Sequence, residues 1–403
     1  MSKQKIEELA IFGAPSFFSE NLYVGRPNIG NRESLLFRIN DMLDRRWLTN
    51  NGPFVEELEK KLAAFLGVRH CIAMCNATVA LEVTARALGL HGEVIIPSFT
   101  FVATAHALQW QAITPVFCDV DPLTHNIDPS KIENLITPRT TGILGVHVWG
   151  RVCDIDALRS IAQKHHLKLM FDAAHAFACS HHGQMIGGFG NAEVFSFHAT
   201  KFFNSFEGGA VTTNDDTLAQ KIREMRNFGF AGLDTVINVG TNGKMSEVSA
   251  AMALTSLESL DEFIAVNKKN YLEYQKGLLG IPGINMIAYD FAEKNNFQYI
   301  VIEVDENVTN NINRDLLVKI LHAENVLARR YFYPGCHQME PYRALYPQTD
   351  LSLFETEKLV LRVIQLPTGT NVGKQEIADI CELIRFIVNN GREISKRYNR
   401  PLV

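Results

Sequence analysis

The stretch KLMFDAAHAFACSHHGQMIGGFGNAEVFSFHATKFFNSFEGGAVT, Lys168–Thr212, holds three short apolar runs separated by glycine-rich and polar segments. The runs are Lys168–Phe171, Glu193–Phe197 and Gly209–Thr212. They are rich in aromatic and β-branched residues and bounded by Gly, Asp or Asn, the pattern of buried strands. Upstream lie four more such runs: Cys71–Met74, Val94–Pro97, Pro115–Val120 and Ile143–Val148. Amphipathic segments fall between them, at Thr78–Leu88, Phe101–Gln111, Pro129–Leu135 and Asp154–His165. Strand–helix alternation of this kind predicts an α/β fold with a mostly parallel sheet flanked by helices.

Before this region, Phe54–Phe65 reads as an amphipathic helix with Pro53 at its start. After it, Leu218–Asn227 and Ser246–Phe263 read as helices. From about Asn267 the pattern changes to a helix, a strand near Tyr299–Val304, a helix at Arg314–Glu324 and a last helix from Gln375 to Asn390. The expected division is an N-terminal arm plus large domain over 1–265, and a small α+β C-terminal domain over 266–403.

The chain has 403 residues, is 46% hydrophobic and carries a net charge of −5. That is enough apolar material for a large core. No basic cluster supports a nucleic-acid partner. Met1–Gly13 lacks the apolar stretch of a signal peptide, and no run of about 18 apolar residues offers a membrane span. The seven cysteines mostly sit in apolar runs, which suits reduced thiols in a cytoplasmic protein. There is no CxxC or HExxH, so no metal is expected.

Three segments carry chemistry. In the first, the run KLMF ends in Asp172, and strand C-termini of a parallel sheet open onto the ligand crevice. A carboxylate there can pair with a protonated ring nitrogen, or it can simply cap a helix. In the second, an apolar strand leads into Ser196 and then Lys201 among Phe202, Phe203 and Phe206. Apolar neighbours lower an amine's pKa and make it nucleophilic, and the Ser196 hydroxyl suits a phosphate. A lone surface lysine is the alternative. In the third, a strand ends at Met74, small and polar residues follow, and a helix begins near Ala77 and Thr78. Such a start is an anion site, or no more than a capped helix. Phe99 and Phe101, just past another strand end, offer a ring to stack on a flat ligand, or core packing. Together these segments suggest a site for pyridoxal 5′-phosphate.

Taken in order, the segments resemble the StrS-type (DegT/DnrJ) nucleotide-sugar aminotransferase family. The resemblance rests on NATVAL, PSFTFVATA, PVFCDVD, GVHVWGRVCDID, FDAAHA, IGGFGNAEVFSFHATK, EGGAVTTND, and RNFG before KMSEVSAAMAL. It implies an aspartate-aminotransferase-like fold of type I and pyridoxal 5′-phosphate as cofactor. Lys201 resembles the Schiff-base lysine, Asp172 the partner of the ring nitrogen, His175 the neighbour of the ring hydroxyl and Phe101 the stacking aromatic. Ala77, Thr78 and Ser196 match phosphate contacts. Asn242 resembles a residue sent to the phosphate by a second subunit, which implies a homodimer with shared active sites. The implied partners are L-glutamate and a nucleotide sugar.

Phe206, where glycine is common, and Trp149, in His147-Val148-Trp149-Gly150, resemble the subgroup that aminates C-4 of dTDP-4-keto-6-deoxy-D-glucose. A C-3 ketosugar aminotransferase and a nucleotide-sugar dehydratase are the alternatives, and Lys201 argues against the latter. The cationic, aromatic segment Arg329–His337 is a candidate to meet the nucleotide diphosphate and sugar, or a surface turn. Trp47 and Arg46 carry a similar ambiguity.

Overall fold

Seven strands form the central sheet: β1 (His70–Met74), β2 (Glu93–Pro97), β3 (Thr114–Cys118), β4 (Thr140–Val146), β5 (Lys168–Asp172), β6 (Ala192–Ser196) and β7 (Gly209–Thr213). In this computed structural model, which describes residues 3–347 and 353–399, they lie in the order β1-β7-β6-β5-β4-β2-β3. The pairs from β6 to β3 are all parallel, and β7 runs antiparallel to both its neighbours. Helices cover both faces, which is why the strands read as continuous apolar runs instead of alternating ones.

The two faces still divide the side chains by period two. Ile95, Phe171 and Phe195 join one core with Leu58 and Leu62 of the helix Pro53–Leu66. Val94, Met170 and Val194 join the other, with Ala80 and Leu81 of the helix Ala77–Ala87. Local caps start the helices. Asn76 accepts the Val79 N–H, Asp154 that of Ala157, Asp215 that of Leu218 and Ser246 that of Ser249. The N-terminus of Pro53–Leu66 is capped from afar: buried Glu247 accepts the Phe54 and Val55 N–H groups, each at 2.9 Å.

A second core forms around three antiparallel strands, β8 (Ile284–Met286), β9 (Ile300–Val304) and β10 (Val363–Leu366). The helix Leu260–Leu278 crosses residue 265. Its Leu260 and Phe263 belong to the first core, and Tyr271, Tyr274 and Leu278 to this one. The N-terminal arm differs from the division at 265. Ile6 and Leu9 bury in the second core, and Leu22–Tyr23 pairs with Val326–Leu327, because those apolar side chains cover the small sheet's helix Arg314–Ala323. Conversely Cys336, Tyr342 and Leu353 pack on the large sheet. Ser246–Phe263 is interrupted at Ser259, where one helix ends and the next begins. All seven cysteines are free thiols, and no helix among the described residues is long and apolar enough to cross a membrane.

Candidate active site

A cavity of about 1130 Å³ opens where the strands β4, β5 and β6 end. Its wall includes Ala77, Thr78, Phe101, Asp172, His175, Ser196 and Lys201. Parallel strands deliver these residues because their C-termini share one edge of the sheet.

Asp172 is the last residue of β5 and is buried. Its Oδ2 accepts the Thr104 hydroxyl at 2.8 Å, and its Oδ1 accepts the Ala174 N–H at 3.1 Å. Thr100 in turn bonds Thr104 at 2.9 Å. Burial pushes the carboxyl's pKa up, and these two hydrogen bonds with the charge of Lys201 oppose that rise. Lys201 follows β6 by way of a turn. Burial lowers its amine to about 8, while Asp172 pulls the other way. Nζ donates to the Tyr299 hydroxyl at 3.0 Å.

His175 is held from behind. The Trp149 N–H donates to its Nδ1 at 3.2 Å, and Asn296 donates to its carbonyl at 2.8 Å. Trp149 reaches that position with φ +63°, in the left-handed region, and its ring stacks on both His175 and Phe332. Burial holds the imidazole's pKa well below its ordinary value. A neutral imidazole whose Nδ1 accepts must carry its proton on Nε2.

At the opposite wall, the helix Ala77–Ala87 begins. The first N–H groups of a helix lack intrahelical partners. Gly209 lies across from them, and a Cβ there would sit 2.8 Å from the Ala77 nitrogen and 2.7 Å from the Phe195 carbonyl oxygen. Ser196 stands at the end of β6 beside this corner. Phe101 is 54% exposed and faces the cavity, whereas Phe99 is fully buried against His125, Trp149 and Phe332.

Other candidates separate. Asn242 is exposed and is absent from the described wall of this cavity. Of Arg329–His337, only Arg329, Tyr331 and Phe332 reach the wall. Arg330 turns to Asp315 at 2.9 Å, and buried His337 bonds Ser98 at 2.6 Å and Glu357 at 3.2 Å. Trp47 and Arg46 are exposed and lie outside the wall. Thr104 and Tyr299 were not singled out from sequence. Thr104 sits within PSFTFVATA, but nothing local marks its hydroxyl as a carboxylate partner. Tyr299 meets Lys201 across 98 positions of chain, which no spacing encodes.

Residues 31–385 match the model of the DegT/DnrJ/EryC1/StrS aminotransferase family. A dTDP-4-amino-4,6-dideoxy-D-glucose transaminase of Shigella dysenteriae is 37% identical over 373 residues, 93% of this chain and 99% of that one. A protein of the same name from Escherichia coli is 35% identical over 364 residues, 90% of this chain and 97% of its own. The crystal structure of DesI in the presence of its TDP-sugar product matches with a TM-score of 0.94 at 48% identity, covering 98% of this chain and 100% of DesI.

Proposed function

The chain belongs to the DegT/DnrJ/EryC1/StrS aminotransferase family, and from that premise we propose that it moves an amino group from L-glutamate to C-4 of dTDP-4-keto-6-deoxy-D-glucose, using pyridoxal 5′-phosphate. The observation that carries this is a single cavity that holds both a lysine with a lowered pKa, Lys201, and a buried carboxylate, Asp172. The choice of sugar is supported by the names of the Shigella and Escherichia relatives and by the TDP-sugar product in the DesI structure.

The residues fit the cofactor. The first N–H groups of the helix at Ala77 and Thr78, which have no intrahelical partner, suit its phosphate together with Ser196, and Gly209 leaves the space in front of Ala77 clear. Asp172 suits a protonated ring nitrogen, His175 with its proton on Nε2 suits a ring oxygen, and Phe101 suits the ring face. Bound there, pyridoxal 5′-phosphate supplies a carbonyl for amines and an electron sink. The remaining work falls to the chain. Lys201, near pKa 8, has an appreciable neutral fraction at neutral pH, so Nζ can take a proton and return it. Tyr299 keeps that nitrogen directed. Asp172, fixed by Thr104 and Ala174, keeps a negative charge where a ring cation needs it. Arg329 offers a guanidinium to the diphosphate.

We also infer that the protein acts as a cytoplasmic homodimer in which Asn242 serves the partner's cavity. Exposed Phe37, Leu43, Trp47 and Leu48, and Leu233 in the loop before Asn242, support this, as free thiols support the compartment. The test is incubation with pyridoxal 5′-phosphate, L-glutamate and the 4-ketosugar, with the product identified by mass and NMR. A glutamate-dependent 4-amino sugar is expected. A product formed equally without glutamate, or amination of a 3-ketosugar alone, would overturn the proposal.

A further inference from the structure

The hairpin Ser180–Met185, outside the cavity wall, places two imidazoles on one side of the chain. Successive strand residues point to opposite faces, yet the rings of His181 and His182 lie 4.0 Å apart. The cause is His182, which sits in the turn between the two strands with a φ of +50°, in the left-handed region that few residues other than Gly, Asn, Asp and His adopt. Opposite them the helix Ile155–Lys164 presents Asp156. Its Oδ2 lies 3.6 Å from His182 Nε2 and 4.0 Å from His181 Nε2. Its Oδ1 faces Arg159 at 3.7 Å, and that guanidinium also bonds the Phe189 carbonyl at 3.1 Å.

One donor atom from each of the three residues lies within 4.8 Å of the others. Neither imidazole–carboxylate separation is short enough for a hydrogen bond. His181 Nε2 is shielded from solvent and has no hydrogen-bond partner among the described residues. A shielded ring nitrogen with nothing to bond is costly, and an occupant of the space between the three groups removes that cost. Around His181 the charged and titratable neighbours include His182, Asp156, Glu293 and Asp154, and buried His147 also feels its charge.

We propose that Asp156, His181 and His182 form a surface site for a divalent metal ion of the zinc class, with water completing the shell. Two imidazoles and one carboxylate suit such borderline ions and not calcium or magnesium, which demand oxygen shells. Metal bonds of about 2.0–2.1 Å set tetrahedral donors roughly 3.3 Å apart. From separations of 3.6 and 4.0 Å, Asp156 must approach His182 by about 0.3 Å and His181 by about 0.7 Å, a movement open to the exposed Asp156 and His182 side chains. The bound ion ties the hairpin to the helix. The hairpin already holds Glu293, through the Ser180 hydroxyl at 2.5 Å and the Gly183 N–H at 3.1 Å, so the clamp reaches the segment that leads into the small sheet. The three ligands form no contiguous motif, because the histidines lie 25 and 26 positions from Asp156.

The test uses full-length holoenzyme, dialysed against EDTA and titrated with zinc chloride by calorimetry, with thermal unfolding followed in parallel. Wild type is expected to bind one ion per chain and to unfold at a higher temperature with zinc. His182→Gly, which keeps the left-handed turn, and Asp156→Asn are each expected to weaken binding by at least the roughly tenfold that losing even an outer partner costs, and to abolish the shift. His91→Ala, at an exposed histidine elsewhere, should bind as wild type. Wild-type affinity and stoichiometry in both site variants, or no binding by wild type, overturns the site.

Discussion

Lys201→Met in the cofactor-free protein is expected to stabilise the fold while ending turnover. Burial takes the amine from 10.5 to about 8, whereas the unfolded chain keeps the ordinary value near 10.4. The folded state therefore binds its proton more weakly than the unfolded state does. Between the two values the unfolded chain holds more protons, so stability rises with pH across that window, and the cost is fully present below it. Linkage puts that cost at about 3 kcal/mol at pH 7 and about 1 kcal/mol at pH 10. Methionine has a similar reach and no charge. The change leaves the Tyr299 hydroxyl without the Nζ donor, worth about 1 kcal/mol. The net gain is then about 2 kcal/mol at pH 7 and close to zero at pH 10. Loss of Lys201 as a favourable neighbour of Asp172 trims it further. The assay is urea unfolding of both proteins without cofactor, at one protein concentration and at both pH values. A variant no more stable than wild type at pH 7, or a difference that does not shrink at pH 10, would refute the reasoning.

Asp172→Asn should retain the cofactor, read by its visible absorbance, yet lose on the order of a hundredfold in kcat; near-normal turnover would remove Asp172 from its role. Gly209→Ala would bring a Cβ to 2.8 Å from the Ala77 nitrogen, a backbone atom that cannot move aside. Overpacking costs about 1–3 kcal/mol, so cofactor affinity should fall roughly tenfold or more, and an unchanged titration would contradict the phosphate corner. Thr104→Val removes a donor that holds the Asp172 carboxylate in its charged form, so that carboxyl's pKa rises further. The acid limb of the kcat/KM profile should move to higher pH in Thr104→Val and return in Thr104→Ser; an unmoved limb would separate Asp172 from the profile.

What the sequence made legible follows the range of the forces involved. The seven strands of the large sheet were readable because both faces are covered, so each strand is an uninterrupted apolar run. The helix starts at Asp154 and Ser246 are legible because their side chains act within three residues. The helix Arg32–Arg45 is not legible in the sequence. Leu36, Phe37 and Leu43 are exposed on it, so its apolar pattern does not report a face turned to this chain's core. β10 carries no sequence signal because it is only four residues long and its partner β9 lies some sixty positions away. Chain order places the N-terminal arm with the large domain, whereas Ile6 and Leu9 bury in the second core, where apolar surface is available. The cavity wall brings together candidates on strand ends and helix starts, which local pattern marks, while the contacts of Thr104, Tyr299 and Trp149 depend on tertiary packing.

Four groups in the cavity wall are shifted toward their neutral forms: Asp172 and Tyr299 upward, Lys201 and His175 downward, each chiefly by burial. A common cause does not give them a common role, because their partners differ. Asp172 alone accepts two hydrogen bonds from the protein and feels Lys201, so it is the group best able to keep its charge. His175 receives the Trp149 N–H, which fixes it as neutral and as a donor through Nε2. That contact requires Trp149 to hold a left-handed backbone, at a cost on the order of 1–3 kcal/mol. Stacking on His175 and Phe332, and the bond from its indole to His125 at 3.1 Å, offset that cost. Trp149 thus acts on the cavity through its backbone while its ring fills the wall behind. An aromatic replacement that keeps the stack but lacks the indole N–H, Trp149→Phe, should therefore leave His175 in place at reduced stability. Loss of activity in that variant without loss of stability would mean that the ring, not the backbone, does the work.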